Sequence, residues 1–313
     1  MQEDKKIIRT VRGDILANEI GHTQCHEHIW LRKGPSFAVN PALLIDDEEK
    51  SLAELLDYKK AGGSAIVDAQ PINCGRCPEV LQRLSEKSGV HIVAVTGFHK
   101  KEFWENDSLA SLSAEKLAEV FASEIEEGML SENGIRTNIR AGIVKAAYDK
   151  GAFEDETYLR FFNAAALAAK KTGAPVLIHT EKNTDIEKMI RFFLEMGIGA
   201  NRIIICHLDR TNGDLSLHEK LADMGAYLCY DSINRLKYLS EEEEIAIIAN
   251  MVKKGFEKNL LFGLDTTRAR LRSYGADMGL DFILQSFIKT LSERGFETEQ
   301  ICKINPAAAL SFK

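Results

Sequence analysis

The residues able to do chemistry in this chain are few and far apart. Histidine occupies only 8 of 313 positions. His26 and His28 form a His-x-His pair within GHTQCHEHI, His179 sits near the end of PVLIHT, and His207 lies in RIIICHLD. Lys145 follows Ile143 and Val144 in IRAGIVKAA, and Asp265 ends LLFGLD. Imidazoles and carboxylates are the ligands that zinc and similar divalent ions take. Side chains at i and i+2 of a strand share one side, so both imidazoles of the pair can reach one cation. A lysine in an apolar run is costly to bury unless it is paired or deprotonated.

Taken singly, each residue has an ordinary alternative. A histidine ending an apolar run can be a satisfied core or cap residue. Lys145 can snorkel to solvent, and Asp265 can cap a following helix. Taken together, these readings would need six coincidences at the same end of five strands.

The elements that must position these residues follow from the hydrophobic pattern. Eight short runs read as strands: 21–29, 64–70, 91–98, 139–147, 175–180, 202–209, 226–232 and 260–265. Most are almost continuously apolar, as strands buried on both faces are. Pro175 opens its run, a position a sheet tolerates. Between the runs lie helical signals. Leu52, Leu55 and Leu56 precede Gly62 at helical spacing, as Leu159, Phe162, Ala166 and Ala169 precede Gly173. Ser240 and Glu243 read as a capping box. Asn305-Pro306 reads as an N-cap followed by proline in the first helical position.

Strands alternating with helices imply a parallel sheet, and eight such units imply a (β/α)8 TIM barrel, here a single domain spanning 1–313. A doubly wound open sheet would usually carry a glycine-rich turn after its first strand, and none follows GHTQCHEHIWL. In a barrel all strand C-termini open on one face, which would bring the six residues together.

Composition narrows the function classes. The net charge of -7 argues against a general nucleic-acid binder. No apolar run reaches the ~18 residues of a membrane span, and MQEDKKIIRT does not read as a secretory signal. Six cysteines in this length are not a disulfide scaffold, so cytoplasmic residence is expected.

The ordered set of GHTQCHEHI, the lysine of GIVKAAYD, the histidines of VLIHT and CHLDR, and the aspartate of FGLDTTR resembles the phosphotriesterase family of the amidohydrolase superfamily. The resemblance runs from about Thr10 to Phe312. It implies a (β/α)8 barrel with two divalent metal ions, usually zinc. By that resemblance His26, His28 and Asp265 would hold one metal, and His179 and His207 the other. Lys145 would be carboxylated on its amine and bridge the two. Two metals sharing a hydroxide lower the pKa of water toward neutrality, which supplies a nucleophile for hydrolysis. Asp265 is then the candidate proton acceptor and later donor to the leaving oxygen.

Substrate choice in barrels lies on the loops after the strands. DSINRLKYLS and DTTRARLRSYG carry five basic residues, Arg235, Lys237, Arg268, Arg270 and Arg272. Loops after the last two barrel strands frequently bind phosphate, although surface ion pairs at helix starts would look the same. These loops, with QPINCGRCPE and VTGFHK, resemble the family's lactonase branch, which acts on lactones of phosphorylated sugars. The resemblance implies Lys237, Arg268 and Tyr274 as phosphate contacts and a furanono-1,4-lactone phosphate as substrate. The alternatives are another carboxylic or phosphate ester at the same centre, or a metal- or ligand-binding barrel without turnover. A homodimer is the commonest arrangement for such proteins.

The remaining candidates have quieter readings. Cys74-x-x-Cys77 lacks the second pair of a zinc ribbon and reads as two loop thiols. Strand alternation turns Cys25 and Cys206 outward, toward the helix layer. His91 is expected at the end opposite the site, and His218 on a helix surface. His99 and Lys100 are expected on the active face. Glu241 to Glu244 suit a helix N-terminus.

Overall fold

The computed structural model describes residues 6–104 and 108–312. Ten strands run β1 Ile7–Thr10, β2 Gly13–Leu16, β3 Thr23–Glu27, β4 Ala65–Asp68, β5 His91–Gly97, β6 Ile143–Tyr148, β7 Val176–Thr180, β8 Ile203–Cys206, β9 Tyr227–Tyr230 and β10 Leu260–Phe262. β3 to β10 form one sheet in sequential order, each parallel to the next. Helices such as Glu48–Lys60, Pro78–Ser88, Ala114–Glu126 and Glu156–Thr172 cross between successive strands. This is the (β/α)8 barrel that the alternating pattern implies.

The sheet closes where β10 meets β3. The Asp265 amide donates to the His26 carbonyl at 3.0 Å. The buried Glu27 carboxylate accepts from the Leu264 amide at 2.7 Å and the Thr266 hydroxyl at 2.8 Å. Gly263 makes the approach possible, since a Cβ there would lie 2.8 Å from the His26 carbonyl oxygen.

Two apolar layers hold the barrel. The inner one stacks Val67, Val93, Val95, Ile143, Leu177, Ile204 and Leu261, and the outer one fills the space between strands and helices. Such burial is worth roughly 1.5–3 kcal/mol per large aliphatic side chain. The hairpin β1–β2, which the apolar pattern does not announce, lies at the N-terminal end of the barrel. There Ile8, Ile20, Ala309 and Leu310 join the inner layer as a floor. Its turn is built on Val11 and Arg12 rather than on an Asn-Gly signal, so nothing local marks it.

Several expectations need correction. The run 139–147 becomes a strand only from Ile143, because the residues before it form a loop in which Ile139 accepts from the Met129 amide. The run 202–209 ends at Cys206, since His207 is left-handed (φ 65°) and a short helix, Leu208–Thr211, begins after it. Cys25 and Cys206 belong to the inner layer, not the helix layer. A register shift between Gln24 and Glu27 breaks the alternation around Cys25, while Cys206 continues the inward face of Ile204 and the alternation breaks only at His207. His218 is buried, its ring nitrogens within 2.8 Å of the Tyr230 hydroxyl and 2.9 Å of the Asn212 carbonyl. Asn305 lies inside a continuous helical stretch and is not its N-cap; its amide donates to the Glu257 and Leu260 carbonyls. Leu56 points to solvent, 46% exposed.

Other readings stand. Ser240 and Glu243 form the reciprocal capping box, and Gly173 ends its helix in the left-handed region. His91 lies at the N-terminal end of β5, within 3.1 Å of Arg12. Among the described residues no helix is long and apolar enough to cross a membrane.

One glycine ties the fold directly to the site. Gly97 pairs with Lys145 across β5 and β6, has φ 91°, and leaves no room for a Cβ beside the Lys145 carbonyl. Gly97→Ala is expected to destabilise the protein by more than about 1 kcal/mol, read as a lower urea midpoint.

Candidate metal centre and active site

All six residues singled out in the sequence come to the C-terminal rim of the barrel. A cavity of about 770 Å³ opens there, and its lining includes His26, His28, His179, His207 and Asp265. Lys145 lies fully buried on β6, its ammonium nitrogen donating to the Ala69 carbonyl at 2.6 Å.

The donor atoms fall into two groups. His26 Nε2 lies 3.7 Å and His28 Nε2 3.1 Å from Asp265 Oδ1. His179 Nδ1 lies 2.8 Å from His207 Nε2. The groups adjoin, since one ligand atom each from His26, His207 and Asp265 lies within 4.8 Å of the others. His26 Nε2 is buried without a hydrogen-bond partner among the described residues. An orphaned nitrogen facing a carboxylate and a second imidazole is what a cation site requires of its donors. The residues therefore fit a divalent cation.

Asp231, absent from the sequence reading, sets the direction of two of these imidazoles. Its Oδ2 lies 2.8 Å from His26 Nδ1 and its Oδ1 2.7 Å from His207 Nδ1. With Nδ1 of both rings on one carboxylate, both Nε2 atoms face the cavity; burial would lower His26, but Cys206 and Asp231 raise it to about 10. Burial opposes charge on Asp231, but His207 and His26 hold its carboxyl below the usual carboxylate range. On the opposite wall, His179 Nε2 lies 3.0 Å from Glu181 Oε1, which also accepts from Lys100.

Burial shapes the protonation of the site. It pushes His28 and His207 down to about 4 and His179 well below the ordinary histidine range, so these rings are neutral near pH 7. Neutral imidazole is the form that ligates metal. Burial also lowers the Lys145 amine. A carboxylated lysine starts from the neutral amine, and its desolvated position favours that form.

Asp265 Oδ2 accepts from Arg210 at 2.7 Å and Arg235 at 2.9 Å, while Arg235 also donates to the Asp265 carbonyl at 2.6 Å. Burial would raise this carboxyl, but the two guanidiniums hold it well below the usual range. Its Oδ1 is left to the histidines.

The other basic loop residues divide. Lys237 lines the cavity, with its nitrogen 4.6 Å from the centre of the Tyr238 ring. Arg268 stacks on Tyr274 at 4.9 Å, and the Tyr274 hydroxyl accepts from the Asp47 amide at 3.1 Å. Neither is in the cavity lining. Arg270 is buried and braces the loops through the Leu264 and Ile233 carbonyls, and Arg272 pairs with Asp57 and Asp281. His99 and Lys100 line the cavity as expected from their place after β5. Cys74 is buried, Cys77 half-buried, and both are free thiols.

Comparison with known proteins gives the family. Residues 6–308 match the model of the phosphotriesterase family. The chain belongs to that family. A phospho-furanose lactonase of Mycoplasmopsis synoviae (strain 53) is 32% identical, with 99% of this chain and 93% of that protein covered. The crystal structure of an amidohydrolase from Mycoplasma synoviae superposes with a TM-score of 0.94 at 30% identity, covering 99% and 93% of the two chains. That of a lactonase from Listeria monocytogenes gives a TM-score of 0.89, also at 30% identity, covering 98% and 99%. The protein is thus a hydrolase of the phosphotriesterase family, as its motifs implied.

Asp231 could have been found by the argument that found Asp265, since AYLCYDS reaches the same rim and carries a carboxylate there. Glu181 follows β7 in a loop and Arg210 lies in the short helix after His207, where no strand periodicity marks them; Arg235 is among the basic loop residues of the sequence, which does not name Asp265 as its partner.

Removing the shared carboxylate tests the description. Asp231→Ala is expected to weaken divalent-ion binding about 10- to 100-fold, measured by competition with a chromophoric chelator. Asp231→Asn, which keeps an acceptor for only one ring, should fall between.

Proposed function

We propose that the protein opens the lactone ring of a phosphorylated sugar, a furanono-1,4-lactone phosphate, at a binuclear metal centre. The observation that carries this reading is the convergence of five buried donors and one buried lysine on a cavity whose upper wall is cationic. His26, His28 and Asp265 would hold one ion, His179 and His207 the other, with Lys145 as a carboxylated bridge. Zinc suits this set of nitrogen and oxygen donors. Bound there, a pair of divalent ions supplies an acidified water and an electrophilic pull on the carbonyl oxygen.

The chain's own residues supply the rest. Asp265 takes a proton from the attacking water and passes it to the ring oxygen as the acyl carbon–oxygen bond breaks. Its two guanidinium partners make it a weak base, so a proton it accepts is held loosely and leaves readily for the far more basic alkoxide. Arg210 and Arg235 fix the carboxylate so that this exchange happens at one place. Lys237, on the cavity wall, is placed to attract a phosphate. Arg268 and Tyr274 would join it if the loop that carries them moved inward. The similarity to a phospho-furanose lactonase over nearly the whole chain supports this choice among esters. The reading is of a small-molecule enzyme of the cytoplasm, with a homodimer as its assembly.

Three measurements bear on the proposal. Metal analysis should find about two ions per chain, and their removal by a chelator should abolish turnover until a divalent metal is restored. Asp265→Asn should keep at least one ion and lose about 10²- to 10⁴-fold in kcat. A lactone panel should favour phosphorylated furanonolactones, and Lys237→Ala should raise KM on them by roughly 10-fold or more. Equal rates with and without the phosphate would remove the phosphate handle, and hydrolysis of phosphate esters alone would remove the lactone.

A further inference from the structure

The contact between His179 and His207 is unusual in what it leaves unsatisfied. His207 Nδ1 lies 2.7 Å from Asp231 Oδ1, an acceptor-only oxygen, so that nitrogen carries the proton. His179 Nε2 lies 3.0 Å from Glu181 Oε1, so that nitrogen carries the proton too. The remaining nitrogens, His207 Nε2 and His179 Nδ1, face each other at 2.8 Å. Two lone pairs at this distance repel unless a cation lies against both.

We infer that Glu181 is a positioning residue of the metal centre, which fixes the tautomer of His179 so that Nδ1 faces the cation shared with His207. The inference rests on the binuclear reading and extends it to a residue outside the six. Three features of the chain support the assignment. Glu181 follows the last residue of β7, and its carboxylate meets the His179 ring at 3.0 Å. Lys100, on the loop after β5, donates to the same Glu181 oxygen at 2.5 Å and holds the carboxylate beside the ring. The Glu181 side chain is 34% exposed, while the ring it contacts is buried, so the carboxylate reaches the ring from the solvent side without its own full desolvation. The arrangement is a carboxylate–histidine pair behind a ligand, of the kind that commonly orients metal-binding imidazoles. Asp231 does the same for His26 and His207 from below. The two carboxylates thus divide the centre, with Glu181 acting on one ion and Asp231 on both.

The test compares Glu181→Ala and Glu181→Gln in the full chain, with far-UV circular dichroism and thermal unfolding to confirm the fold. Titration with zinc against a chromophoric chelator should show one of the two ions bound about 10- to 100-fold more weakly in Glu181→Ala. Glu181→Gln, whose amide oxygen still accepts from Nε2, should stay within a few-fold of the parent. Equal affinity in the alanine variant would overturn the inference. Long-range ¹H–¹⁵N spectra of the metal-free protein give a readout that needs no ion. The parent should carry the His179 proton on Nε2, and Glu181→Ala should shift population to Nδ1. A parent ring protonated on Nδ1 alone would overturn the inference as well. A parent that binds no divalent ion would count against the binuclear centre itself, and the ring-nitrogen spectra would still decide the role of Glu181.

Discussion

The hydrogen bond from the Asp265 amide to the His26 carbonyl is the constraint on which the molecule depends. It joins the last barrel strand to the first, and the two residues it links carry donor atoms of the candidate centre. Closing the sheet and assembling the site are therefore one event. The seam is reinforced by Glu27, whose carboxyl burial pushes up to about 7 despite hydrogen bonds from Thr266 and Leu264. The absence of a side chain at Gly263 lets the strands meet there. A sheet left open by even a small displacement at this seam would keep its helices and most of its core, yet separate the residues on which chemistry depends.

Around that seam the polar residues are layered by role. Imidazoles face the cavity, carboxylates stand behind them, and guanidiniums stand above Asp265. Each layer solves a problem created by the one before. Buried rings need their outer nitrogens satisfied, and Asp231 does this for two at once. A buried carboxylate at Asp265 needs compensating charge, and Arg210 and Arg235 provide it. Both arginines also lie near the Tyr238 ring, which covers part of their otherwise costly surface.

The barrel and the six rim residues were legible because they rest on long-period regularities. Continuous apolar runs mark strands buried on both faces, and parallel strands share a C-terminal edge. What escaped the pattern lies where the backbone departs from it. Cys25 faces inward through a register shift in β3, and Cys206 continues the inward face of Ile204, with the left-handed His207 alone departing from the alternation. His218 is buried by a partner, Tyr230, that no local periodicity could name. Glu181 sits on a loop and Arg210 on the short helix after the left-handed His207, and the direction of both depends on packing between distant segments. The hairpin β1–β2 has no turn signal, and its place in the structure comes from sealing the floor rather than from its own propensity.

That floor has a consequence for traffic. With Ile8, Ile20, Ala309 and Leu310 plugging the lower end, the cavity opens at the C-terminal rim among the described residues, and what enters there leaves by the same rim. Hydrolysis of a neutral carboxylic ester or lactone adds a negative charge to the departing molecule. It would exit past Lys100, Arg210, Arg235 and Lys237, against the pull of the same cations that drew its precursor in. Raising the ionic strength would weaken that pull.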